Sequence, residues 1–186
     1  MNLPNIFHLP NERHASTCYP FYREENMIDK PLKSWDTRVA ISKSQEDISN
    51  ILARFGALKV AFEEDFKKGT QLLRFEYPLE EKKIVPVQFK IEIKGIFDWL
   101  KENGRGSWNN EYLWKQAKKV AWRHIFDWTK SNINLVEFGL IPFENMFLSY
   151  FSHVLPDGTY KSLGDFVIPK LHSGELFNKL LTERKR

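Results

Sequence analysis

Basic and aromatic residues are interleaved over residues 105–123, and this pattern is typical of nucleic-acid binding. Lys115, Lys119 and Arg123 follow one another at intervals of four residues, so they share one face if this stretch is helical. Cationic side chains contact phosphates, and exposed indoles stack on bases. The candidate nucleic-acid-binding residues are Arg105, Trp108, Trp114, Lys115, Lys118, Lys119 and Arg123.

The same pattern has a second interpretation, in which the cations form a solvated helix face and the indoles belong to the core. Trp108 and Trp114 separate the two interpretations. An exposed indole next to the Gly104–Ser107 loop could be a stacking platform, whereas a buried one would close the core over the helix start. The sequence leaves both interpretations open.

Metal binding and nucleophilic catalysis have weaker support. His8, His14 and Cys18 could ligate zinc, but a fourth ligand is missing and no Cys-x-x-Cys or His-x-x-x-His pair is present. Cys18 could act as a nucleophile only if folding brought a base such as His124 or His153 beside it. We therefore expect no metal and no catalytic cysteine.

Acidic and glycine-rich segments do not predict a catalytic site either. The acids at 24–25, 63–65 and 80–81 are adjacent, and adjacent side chains point apart instead of converging on one reacting group. Gly104-x-Gly106 lacks the third glycine and the Lys-Ser/Thr pair of a phosphate-binding loop. We expect no cofactor and a protein that is not an enzyme, with a site hidden from the sequence as the alternative.

Two apolar periods predict the elements that position the candidate residues. From Val85 to Ile93 apolar residues alternate with polar ones, which indicates a strand with one buried face. After residue 111 the period changes to 3.6, which predicts a long helix from Glu111 to Phe138 that ends at Gly139.

The remaining segments complete a small, mainly antiparallel sheet with a packed helix, in the order β-α-β-β-β, followed by a helical C-terminal part. The fold class is therefore α+β. Strands are predicted at 37–41, 58–62, 71–77 and 85–93, helices at 44–55, after Pro142 and at 174–182, a loop at 95–110 and turns at 68–69 and 156–159. The sheet part spans 37–94 and the helical part 111–182.

Composition predicts one folded domain behind an extended arm. The chain has 186 residues, of which 42% are hydrophobic and 15% aromatic, enough for a core. Residues 1–32 are rich in proline and carry several aromatics, so we expect an arm that packs on the domain, 33–186, or binds a partner protein.

Charge and cysteine content bear on location and partners. The net charge is +4, and the whole excess lies after residue 100, because the first 100 residues carry as many acids as bases. This distribution permits DNA or RNA as a partner. One cysteine, no basic-then-apolar leader and no uninterrupted apolar run predict a cytoplasmic protein that does not span a membrane.

Several short motifs occur along the middle and the second half of the chain. They are Ser44-x-x-x-Ile48-x-x-x-Leu52-x-x-Phe55-Gly56-Ala57, followed by Trp122-Arg123, Trp128, Lys130, Val136-Glu137-x-Gly139-Leu140, Phe143-Glu144-x-x-Phe147-Leu148-x-Tyr150 and Pro156-Asp157-Gly158-Thr159. Together these motifs resemble a family of small, uncharacterised proteins encoded by bacteriophages and prophages. The resemblance covers about residues 42–165 and departs from the family pattern in the arm and at Ser152-His153. It implies a mobile-element origin and assigns no activity, cofactor or site residue.

Two functions from different classes follow. The first is a non-catalytic, nucleic-acid-binding accessory protein of a phage or other mobile element. The alternative is a protein–protein interaction module, an inhibitor or adaptor of a host or viral protein that uses the aromatic arm.

Overall fold

The computed structural model describes residues 32–66, 69–80, 83–103, 108–156 and 160–175. The chain divides into two units, Met1–Leu32 and Lys33–Arg186, and the helices and strands of the described residues belong to the second. Helices and antiparallel strands are both present, which confirms the predicted α+β class. Within the part of the chain that the structure describes, the elements in chain order are α1 (Ile41–Phe55), β1 (Lys59–Asp65), β2 (Thr70–Glu80), β3 (Lys83–Glu92), α2 (Lys94–Asn103), α3 (Asn110–Glu137), α4 (Phe143–Phe147), a 3-10 turn (Leu148–Tyr150), β4 (Ser152–Val154), β5 (Tyr160–Ser162) and α5 (Leu163–His172).

The main sheet has three antiparallel strands in the order β1-β2-β3. Leu73 and Phe75 of β2 lie opposite Phe89 and Val87 of β3, and all four are buried, as alternation at period two requires. Pro86, which cannot donate to a ladder, lies on β3 at the edge of this sheet, where such a residue is expected. The short strands β4 and β5 form a separate antiparallel pair.

Helices α1 and α3 contribute the rest of the core. Ile48 and Leu52 of α1 lie in one apolar cluster with Ala117 and Ala121 of α3 and with the sheet residues. Gly56 ends α1 with a φ of 102°, a left-handed value that favours glycine, so the predicted stop signal is confirmed. The predicted long helix is also confirmed, within one residue at each end.

One predicted strand is wrong. Residues 37–41 form no strand, and the observed order is α-β-β-β instead of β-α-β-β-β. The carbonyl oxygens of Trp35 and Thr37 instead accept hydrogen bonds, both 3.0 Å long, from the Gln116 side chain of α3. The backbone of this segment is therefore held by a helix side chain, and α1 begins at Ile41, three residues before the predicted start.

Two helices are absent from the sequence-based prediction. The segment 95–110 is predicted to be a loop because of Gly104, Gly106 and Asn109-Asn110, but Lys94–Asn103 forms α2, whose Leu100 is fully buried. Helix α5 starts with a capping box, in which Ser162 and Asp165 satisfy each other's backbone amides. Helix α4 begins directly after Pro142, as predicted. The arm, most of the 174–182 helix and parts of the turns at 68–69 and 156–159 lie outside the described residues.

Candidate nucleic-acid interface

The first turns of α3 position the candidate lysines. The Asn109 side chain caps α3 by accepting a hydrogen bond of 2.8 Å from the Tyr112 amide. Leu113, Ala117 and Val120 then face the core. Because an α-helix repeats every 3.6 residues, Lys115 and its basic neighbours lie on the remaining faces, at the margin of the core.

A groove of about 670 Å³ lies between the start of α1, strand β1 and the first turns of α3. Three of the seven predicted site residues, Lys115, Lys118 and Lys119, line it. Tyr112, which is 48% exposed, also lines the groove, one helical turn before Lys115. The structure therefore brings three cations and one exposed aromatic ring to a single concave surface, which we call the α1–α3 groove.

Lys118 has a structural partner. Its ammonium group donates a hydrogen bond to the Glu64 carboxylate of β1, and both side chains are about three-quarters buried. Partial burial would raise the pKa of Glu64, but the hydrogen bonds from Lys118 and Gln71 and the charge of Lys118 together lower it. This ion pair ties α3 to β1, so Lys118 is the least available of the three lysines for a ligand.

Lys115 and Lys119 are more available. Lys115 pairs with Glu111 at 2.6 Å, but both side chains are mostly exposed, and such pairs one helical turn apart contribute only about 0.3–0.5 kcal/mol. The Lys115 ammonium lowers the pKa of Glu111 by hydrogen bonding and by its charge. Lys119 makes no ion pair with any residue that the structure describes. A phosphate can therefore compete for both lysines at small cost.

Arg123 lies outside the α1–α3 groove. Its guanidinium is 4.3 Å from the centre of the Phe126 ring and 3.7 Å from the Asp127 carboxylate. Asp127 also pairs with Lys33 at 2.9 Å. Arg123 is thus engaged with its own helix, one turn beyond Lys119, and the predicted basic face is divided between the groove and this second cluster.

The two tryptophans lie in different surroundings. Trp108 is partly buried, with its ring 6.3 Å from that of Trp35 and 4.9 Å from that of Tyr112. Trp114 is 37% exposed, packs on Phe97 at 4.7 Å, and lines a separate cavity of about 420 Å³ that also contains Lys90 and Lys94. Neither indole lines the α1–α3 groove, and Arg105 lies outside the described residues.

Sequence reasoning missed Tyr112, Gln71 and the start of α1 as parts of this surface. Helical spacing could have found Tyr112, because it precedes Lys115 by three residues. No local signal could have found Gln71, which reaches the groove from β2 and whose side-chain oxygen accepts a hydrogen bond of 3.1 Å from the Trp122 indole. That contact spans 51 residues of sequence.

The other candidate chemistry gains no support from the described part of the chain. No group of three or more His, Cys, Asp or Glu residues there is arranged to hold a metal ion. The adjacent acids Glu63 and Glu64 are each engaged with a cation, Glu63 with Arg74 at 2.6 Å and Glu64 with Lys118. His8, His14, Cys18 and the acids at 24–25 lie outside the described residues.

Comparison with known proteins gives no match among family models, curated proteins or solved structures. Among the helices of the described residues, none combines the length and the apolar character needed to cross a membrane.

Proposed function

We propose that the protein binds single-stranded DNA or RNA without catalysis, through the α1–α3 groove. The observation that carries this proposal is the convergence of Lys115, Lys119 and the exposed Tyr112 ring on one concave surface. Lysines contact the phosphates of any sequence, and an aromatic ring stacks on any base. Stacking favours single strands, whose bases are free to leave their neighbours.

The biological setting is part of the same proposal. The resemblance to phage and prophage proteins supports an accessory role for a mobile element in the cytoplasm of its host. The lysines of the groove fit an accessory protein that binds many different sequences, because phosphate contacts do not depend on sequence.

The experiment is a fluorescence anisotropy titration with labelled single-stranded DNA and RNA over a series of salt concentrations. Each phosphate contact contributes about 0.7 to the log–log salt slope for single strands. The double variant Lys115→Ala/Lys119→Ala should therefore lower the slope by about 1.4 and weaken binding to all sequences.

The matched control removes the same charge from outside the groove. Lys101 of α2 and Lys130 of α3 are exposed, and neither lines the groove. Lys101→Ala/Lys130→Ala should retain the slope of the wild type. Equal slopes for the two double variants would contradict the assignment of the site to the groove.

Protein–protein interaction is the second candidate, and one surface supports it. Phe166, Ile168 and Leu171 of α5 are 39–50% exposed, as is Leu148 of the preceding 3-10 turn, while Gly164 alone is buried among the α5 residues. Clustered apolar side chains mark interaction surfaces. If the wild-type protein binds no nucleic acid at low salt, this candidate becomes the better explanation.

A further inference from the structure

Strand β1 forms one edge of the main sheet, and its outer side has no partner strand among the described residues. Its seven residues all pair with β2 on the inner side, and none of the seven is fully buried. An edge strand carries backbone amide and carbonyl groups that point away from the sheet, and these groups can pair with another strand. As far as the described residues go, β1 is therefore available to a further strand.

The opposite edge of the sheet is protected. Pro86 of β3 lacks a backbone donor, and Phe151 forms a bridge to Val87 at this edge. The Ser152 hydroxyl also donates a hydrogen bond of 3.2 Å to the Pro86 carbonyl oxygen. Proline and covering chain are the usual means by which a sheet avoids pairing at an edge. The difference between the two edges favours β1 as the side that takes a partner strand.

The charges of β1 favour a second copy of the same strand, in antiparallel orientation. When Phe62 lies opposite its counterpart, Lys59 of each copy lies opposite Asp65 of the other, at both ends of seven residue pairs. Directly opposite residues share a face of the sheet, and opposite charges there attract. The Lys59 side chain is 71% exposed, so its ammonium group can reach across. A carboxylate has two oxygens, so Asp65 can accept from this lysine in addition to contacts within its own chain.

The other acids of β1 do not oppose this register. Glu63 is paired with Arg74 of its own copy, and Glu64 is paired with Lys118. A parallel, in-register pair of β1 strands would instead place each charge opposite its own kind, which is destabilising. The charges therefore disfavour open-ended stacking and favour the closed, twofold antiparallel pair.

Phe62 supplies the apolar centre of this pair. It lies on the core face of β1, is only partly buried, and packs edge-on against Trp122, with 5.3 Å between the ring centres. Aromatic residues that lie directly opposite each other stabilise antiparallel strands. We infer that two copies of this chain pair through β1, antiparallel about Phe62, and join their three-stranded sheets into one sheet of six strands.

The paired strands would also join the two α1–α3 grooves, a consequence that rests on the proposed function. The twofold axis of such a pair is perpendicular to the sheet, so the helices of both copies lie on one side of it. Phe62, Glu63 and Glu64 line the groove of each copy, so the two grooves would meet beside the axis. One nucleic-acid strand could then contact the lysines of both copies and offset the repulsion between them.

Sedimentation velocity without nucleic acid tests the pairing. The interface is small, so we expect a concentration-dependent equilibrium, on the order of micromolar, between the 22.1 kDa chain and a species of twice that mass. Lys59→Glu and Asp65→Lys each place like charges opposite each other at both ends of the pair, and each should weaken dimerisation at least about tenfold. The double variant Lys59→Glu/Asp65→Lys restores opposite charges at both ends and should dimerise like the wild type.

Lys90→Glu is the matched control. Lys90 of β3 is an exposed lysine that pairs with Glu92, as Lys59 pairs with Glu76. It lies on the strand at the other edge of the sheet, so this change should leave dimerisation unchanged.

Hydrogen exchange followed by mass spectrometry examines the same interface without any substitution. The amides of β1 should exchange several-fold faster once the wild-type protein is diluted to the monomer, because those that point outward lose their partners. The amides of the central strand β2 should be unaffected by dilution, since both neighbours of β2 belong to its own copy. If a substitution destabilises the fold, this measurement on the wild type decides.

Three results would overturn the inference. The first is a single species of 22.1 kDa at all concentrations up to about 100 µM. The second is a dimer that Lys59→Glu leaves intact, or whose exchange at β1 is independent of concentration, because such a dimer uses another surface. The third is a double variant that stays monomeric with the melting curve of the wild type. If the dimer forms as expected and no oligonucleotide binds, the proposed function fails and the pairing stands.

Discussion

Lys118 and Lys119 are neighbours in sequence, and the structure predicts opposite consequences for replacing them. Lys118→Met removes the ion pair with Glu64 and leaves a carboxylate that is about three-quarters buried without its cation. Exposed pairs contribute up to about 1 kcal/mol, and breaking fully buried pairs costs about 3–5 kcal/mol. A pair of intermediate burial should therefore contribute about 1–2 kcal/mol to the free energy of unfolding. Lys119→Met removes no ion pair with a described residue and should change stability by less than about 0.5 kcal/mol.

The assay is thermal unfolding followed by circular dichroism. For a domain of this size, 1 kcal/mol corresponds to about 2–4 °C, so Lys118→Met should lower the melting temperature by about 2–8 °C. If the α1–α3 groove binds nucleic acid as proposed, affinity should show the reverse order, because Lys119 lines the groove and has no competing ion pair among the described residues. Methionine retains the aliphatic stem, so packing losses stay small.

The pH dependence gives an independent check on this pair. Because the pKa of Glu64 is lowered in the folded protein, the stability that Glu64 contributes is present above its ordinary value of 4.5 and is lost as the pH falls through the lower folded value. The deficit of Lys118→Met should therefore be complete at neutral pH and shrink below about pH 4. Unchanged stability with lost binding in Lys118→Met would overturn this interpretation, because it would show that Lys118 serves the ligand instead of Glu64.

Three further substitutions test the groove and the core. Tyr112→Ala should weaken single-strand binding by about 1–3 kcal/mol in anisotropy titrations and leave the melting temperature nearly unchanged. A lower melting temperature with unchanged binding would show that Tyr112 is a packing residue. Trp122→Ala should lower the free energy of unfolding in urea by about 3–5 kcal/mol, because Trp122 is fully buried and donates a hydrogen bond to Gln71. A loss below about 1 kcal/mol would contradict the position of Trp122 in the core. Gly164→Ala places a methyl group 2.9 Å from the Ser149 carbonyl oxygen, so it should lower the free energy of unfolding by about 1–3 kcal/mol in the same assay. An unchanged free energy would show that α5 can shift to make room.

The sequence predicts the parts of the fold that depend on local periodicity. The alternation in 85–93 and the change to a period of 3.6 after 111 correspond to β3 and α3, and Gly56 ends α1. The failures arise where tertiary contacts override local preference. Residues 37–41 have the apolar pattern of a strand, but no strand of the described residues pairs with them. The Gln116 side-chain amide instead donates hydrogen bonds to the carbonyl oxygens of Trp35 and Thr37.

The candidate site was predictable in part. Helical spacing brings Lys115 and Lys119 to one face of α3, and both line the groove. Spacing alone does not show that Glu64, 54 residues away, engages Lys118, or that Asp127 and Phe126 hold Arg123. Partners from distant strands depend on the register of the sheet, which no local pattern contains.

The most direct test of the proposed function is the affinity of the wild-type protein for short labelled oligonucleotides, single-stranded and double-stranded, measured at several salt concentrations. We predict tight binding at low salt, preference for single strands over duplexes, and a logarithm of the affinity that falls linearly with the logarithm of the salt concentration. No binding to any single-stranded DNA or RNA at low salt would contradict the proposal.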